Sequence, residues 1–128
     1  MSAISNYLEA ALINVSLRAT AYSAPATVYA ALFTTDPGEA GAGDEVSGGS
    51  YIRKAAAFDA PTDGVTQNTS AVTFTQATGD WGTITHVAVF DAESEGNMLF
   101  YGILDASKAI GTGDQFVIAA GDLEISLA

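Results

Sequence analysis

Cysteine is absent from this 128-residue chain, which removes disulfides, thiol catalysis and thiolate metal sites together. Basic residues are scarce. Arg18, Arg53, Lys54 and Lys108 face fifteen acidic residues, for a formal net charge of −11. Such a surface repels phosphate backbones, so no nucleic-acid partner is expected. Long apolar runs are missing too: stretches such as "VAVF" and "FVIAA" are far short of the roughly 20 residues that cross a bilayer as a helix. No membrane partner is expected. The first basic residue is Arg18 and no basic region precedes an apolar run, so no secretory signal is expected. The chain is expected to be made in a host cytoplasm and to leave it only inside a larger assembly.

What is present argues for a folded β domain. Hydrophobic residues reach 48%, close to the globular norm, which disfavours disorder despite the charge. With charged residues at only 15%, Thr, Ser, Gly, Asn and Ala must cover much of the surface. Residues 2 to 18 read as one amphipathic helix. Ile4, Leu8, Leu12 and Val15 recur at three and four residues, with Tyr7 and Ala11 beside them. Ser2, Ser5 and Asn6 are candidate caps, Glu9 lies near the positive end and Arg18 near the negative one. "ATAYSAPA" then breaks the pattern, because Pro25 disfavours helix at Ala24.

Strands follow, separated by turn chemistry. "TVYAALFTT" (27 to 35) is apolar on both faces, as a buried central strand should be. Residues 36 to 49 form a long Gly-, Asp- and Glu-rich loop, and "SYIRKAAAF", "NTSAVTFT", "TITHVAVFD", "NMLFYGILD", "DQFVIAAG" and "LEISLA" supply further strands. The short "AESEG" connection predicts a hairpin between the fourth and fifth strands of this series. The fold class is therefore mainly β: an antiparallel, jelly-roll-like β-sandwich with one N-terminal amphipathic α-helix. Residues 1–26 are read as helix and connecting arm, and 27–128 as the sandwich. Val28, Leu32, Phe33, Phe74, Val87, Val89, Leu99, Phe116 and Ile125 are the expected core.

Candidate sites are few. His86 is the only imidazole, and strand alternation puts it on the face of Ile84, Ala88 and Phe90. No nucleophile-elbow turn accompanies it, so the reading is structural, with no catalytic residue. Trp81, between Gly79 and Gly82, reads as a ring covering the end of the core where backbone passes closely. The acidic loop residues Asp36, Glu39, Asp44 and Glu45 are a weak calcium candidate whose spacing matches no EF-hand, and no metal or other cofactor is expected. Arg53 and Lys54, being adjacent, point to opposite faces of a strand, and one is expected to pair with an acidic residue on a neighbouring subunit.

Three blocks carry a family resemblance: "YLEAALINVSLRATAYSAPATVYAALFTTDP", "EVSGGSYIRKAAAF" and "WGTITHVAVFDAESEGNMLFYGIL". Together they resemble a family of small tailed-bacteriophage virion proteins commonly labelled phage tail fibre proteins. The resemblance implies a non-enzymatic component of the virus particle. A fibre shaft extends by repeats, heptads or triple helices, none of which occurs here, and one such domain has a radius of gyration of only roughly 14 Å. The expectation from size and charge is a capsid decoration (cement) protein on the particle exterior, bound to the major capsid protein or another virion protein. The alternative is a minor tail or tail fibre component, and a carbohydrate-binding or enzymatic domain comes third. A homotrimer is expected, with Tyr7, Leu8, Leu12 and Tyr22 contributing to contacts between subunits or with the capsid.

Overall fold

A computed structural model describes residues 2–127. Its centre is a five-stranded antiparallel sheet in the order β1-β7-β6-β2-β3, built from Ala3–Ile4, Met98–Ile110, Gly82–Phe90, Val28–Phe33 and Lys54–Ala56. Strands β2 and β6 are rich in β-branched and aromatic residues and lie inside the sheet, where both faces are covered. β6 and β7 form the expected hairpin. The second layer is not one sheet but two separate two-stranded ladders. One pairs β4 (Val65–Gln67) with β9 (Glu124–Ser126), the other β5 (Val72–Thr73) with β8 (Val117–Ile118).

Between the layers lies the main core. Ala30, Leu32, Ile84, Val87 and Ile110 of the large sheet meet Val72, Phe74, Phe116 and Ile118 of the second layer. The Phe74 and Phe116 rings pack edge to face with centroids 5.9 Å apart. The opposite face of the sheet carries a smaller cluster of Ala31, Phe33, Ala88, Phe90 and Met98. Of the core expected from sequence, every member is buried except Val28, which is half-buried at the start of β2.

The helix α1 spans Asn6–Leu17 rather than residues 2 to 18. Ala3 and Ile4 instead pair with Tyr101 and Phe100 as β1, and Ser5 stops that strand by capping the helix. Its Oγ accepts a hydrogen bond from the Leu8 N–H at 3.2 Å, the geometry of an N-cap. Two other short elements escaped the sequence pattern: β4, read as connection, and Asn68, read as part of a strand. Asn68 is buried and ties together the loops that connect the two ladders, donating to Ser70 and Ala119 carbonyls and accepting from the Leu123 N–H.

One face assignment changes. Pairing runs from Ile84↔Lys108 to His86↔Ile103, so residues 104–107 of β7 stand opposite Thr85 alone. This bulge reverses the alternation within β6. His86 does share a face with Ala88 and Phe90, but Ile84 turns to the other side and is fully buried in the main core.

Candidate functional site

The largest polar constellation is a clasp around Arg53. "EVSGGSYIR" folds back through Gly48 and Gly49, both at positive φ, and brings Arg53 against Glu45. Arg53 Nε and Nη2 bind the two carboxylate oxygens of Glu45, each at 2.8 Å, a bidentate charge-assisted pair. Its Nη1 donates to the carbonyls of Ala92 and Glu95 in the β6–β7 hairpin loop, at 2.9 and 2.8 Å. The guanidinium carbon lies 3.7 Å from the centroid of the Phe90 ring. Tyr51 joins the clasp by donating to Glu45 Oε2 at 2.6 Å while its oxygen accepts the Leu32 N–H. Burial, followed by the hydrogen bond to Glu45, pushes the Tyr51 hydroxyl far above its ordinary range. Arg53 thus has an acid partner, Glu45, in its own chain. Lys54 is half-buried in β3, opposite Ala30.

Trp81 sits at the same end of the core. It is buried, its Nε1 donates to the Gly49 carbonyl at 2.9 Å, and its ring meets Tyr51 edge to face. The glycine that permits this approach is Gly49: an added Cβ would lie 3.0 Å from Trp81 Nε1 and 3.1 Å from the Gly79 nitrogen. The flanking Gly79 and Gly82 are less confined.

His86 is half-buried, with Nδ1 2.8 Å from the Thr85 hydroxyl and Nε2 3.8 Å from Asp36 Oδ1. A hydroxyl, an imidazole and a carboxylate in line are the elements of a nucleophile-activating relay. The acid is too distant for a hydrogen bond, however, and Thr85 and His86 line neither the groove between β7 and β8–β9 nor the one between the start of α1 and the loop at Glu39–Gly41. The four acidic loop residues do not converge. Asp36 accepts the Gly38 N–H, Glu45 is held by Arg53, and no group of three potential metal ligands forms among the described residues.

The exposed apolar surface concentrates on α1. Leu8 is its one buried residue and Leu12 is half-buried, while Tyr7, Ile13, Val15 and Leu17 are exposed, Leu17 at 79%. The stripe expected from Ile4, Leu8, Leu12 and Val15 is therefore only partly used inside the chain, because apolar side chains run nearly all round the helix. A helix apolar on every side ordinarily lies buried. Tyr22, on the arm that follows, is half-buried; its hydroxyl is pushed up by burial and then by the proximity of Tyr7 and Asp91. Ile13 and Leu17 lie off the stripe of Ile4, Leu8, Leu12 and Val15 that the helical period picks out.

Among the described residues no buried side-chain nitrogen or oxygen lacks a hydrogen-bond partner. The polar interior is a fastening, and α1 is one surface that leaves apolar side chains uncovered. These are the features of a structural protein that joins others. The match to known proteins specifies which: residues 3–126 match the family described as podophage GP4 fiber I protein gp80, and the chain belongs to that family. It is a tail fibre-type structural protein of a phage virion. No curated protein matches the chain.

Proposed function

We propose that this chain is a non-enzymatic subunit of the tail-fibre apparatus on the virion exterior, and that residues 1–26 attach it to its neighbours while 27–128 form the rigid body. The observation that carries this reading is the family match over nearly the whole chain. It favours the tail-fibre role over capsid decoration, which rested on small size and acidity alone. A compact body without repeats is a joint or knob of a fibre, not its shaft. The assembly proposed is a homotrimer, supported by the apolar residues that α1 leaves uncovered.

Counting copies by quantitative mass spectrometry of purified virions tests the location. A few copies per particle, with antibody label at the tail end, is the expected result. Hundreds of copies bound over tailless capsids would replace it with decoration.

A further inference from the structure

The sandwich closes on one side and opens on the other. β3 packs against β5, but β7 stands away from β8 and β9, and between them runs a groove of about 330 Å³. Leu104, Phe116, Ile118 and Ile125 line its floor, and Ile103 and Val117 are exposed at its lip, at 60% and 48%. The bulge at residues 104–107 shapes one wall. Asp105, Asp122 and Glu124 also line it with a single cation, Lys108, whose Nζ lies 5.9 Å from the Phe116 ring centroid and forms no ion pair with any of the three among the described residues.

A complementary surface exists on the same chain. No acidic residue occurs between Glu9 and Asp36, and this acid-free stretch contains the exposed Ile13 and Leu17 followed by Arg18. Ile13 and Leu17 are one helical turn apart, so they project from one side of α1 as paired anchors. Arg18 forms no ion pair among the described residues; its polar side-chain contact is a long one, 3.5 Å, to Asn14. Copies carrying −11 each repel one another except where such an acid-free surface meets a rim such as this one, which carries three carboxylates against one ammonium group. The chain's own helix does not fill its own groove, since Leu17 is 79% exposed.

We propose that this groove receives the C-terminal half of α1 from a second copy of the chain, with Ile13 and Leu17 seated on the apolar floor and Arg18 facing Asp105, Asp122 and Glu124. Each copy gives a helix and receives one. That contact is heterologous, the kind from which a cyclic trimer is built when the rotation between copies closes. The inference rests on the reading of the chain as an oligomer and names the site through which it assembles.

Because the protein has no cysteine, introduced thiols report the contact directly. Full-length Leu17→Cys mixed with Ala106→Cys, on the groove wall, is expected to give a heterodisulfide at least tenfold above Leu17→Cys mixed with Ser70→Cys, a position lining neither groove. Ile103→Asp and Val117→Asp alter exposed positions, so the Trp81 fluorescence of the fold should persist while self-association weakens by tenfold or more. Arg18→Glu should weaken it as well, and Asp122→Arg in the same chain should restore it. A dominant Leu17–Leu17 disulfide would mean that helices meet each other, and equal yields with the Ser70 control would mean that they do not meet the groove; either overturns the proposal. A monomeric protein still found in few copies at the virion tail would sink the groove contact alone and leave the fibre role standing.

Discussion

Replacing Arg53 with Met tests whether the clasp fastens the fold. The guanidinium is 7% exposed and makes two bonds to Glu45 and two to hairpin carbonyls, so its loss strands a carboxylate and frees the hairpin loop. Breaking a buried pair from one side costs about 3–5 kcal/mol. Glu45 is 24% exposed and keeps the Tyr51 hydroxyl as a donor, so water recovers part of its solvation and about 3 kcal/mol is the better figure. Glu45→Gln should cost a similar amount by leaving the guanidinium without its anion. The double variant removes both charges at once. Its loss should therefore fall short of the sum of the singles by at least about 1 kcal/mol. Urea unfolding followed by fluorescence reads all three, since Trp81 is the only tryptophan and is buried beside this network. A domain of this kind has about 5–15 kcal/mol in total, so each single variant should shift the midpoint visibly. Additive singles, or a loss under about 1 kcal/mol for Arg53→Met, would show that the pair merely decorates a fold held by its apolar core.

Stability should fall as pH rises above about 10, because Tyr51 holds its proton in the folded state after an unfolded tyrosine has lost it. The contribution is complete below that pH, the slope for this group is up to about 1.4 kcal/mol per pH unit, and Tyr51→Phe should flatten the titration of the urea midpoint. Phe74→Ala should destabilise by about 3–5 kcal/mol in the same assay, since the ring is buried between the layers against Phe116 and Tyr51. Ala19, just past the helix end, is held at φ 53° where the Thr20 N–H turns back to the Asn14 carbonyl. Ala19→Gly should raise the melting temperature, by relief of about 1 kcal/mol of left-handed strain; no change would show that the turn is not strained. Gly49→Ala should do the opposite and red-shift Trp81 emission, because its Cβ would crowd the indole nitrogen at 3.0 Å; an unchanged spectrum would mean that the loop yields freely.

The sequence alone determined the class of fold. The strand-forming stretches that become β6 and β9, the apolar residues on both faces of β2, and the short acidic turn before β7 are local patterns, and each corresponds to what forms. Ser5 was legible only as one of three candidate caps, with Ser2 and Asn6, and the pairing of Ala3 and Ile4 in β1 selects it. Missing cysteine and scarce lysine likewise needed no structure to interpret. The family resemblance, too, was written in contiguous blocks.

Only the tertiary structure decided pairings between distant residues. Glu45 was legible as a loop acid and Arg53 as a strand cation, but their union depends on the reversal at Gly48 and Gly49 and on the Phe90 ring beneath. Ile84 changed face because residues 104–107 insert into a neighbouring strand, and a side-chain period within one strand carries no information about its partner's register. β1 exists because β7 offers an edge to Ala3 and Ile4, residues that the helical period alone would have kept in α1. The groove has the same origin: its walls come from β7, β8 and β9, and their separation follows from which strands pair, not from any one stretch of sequence.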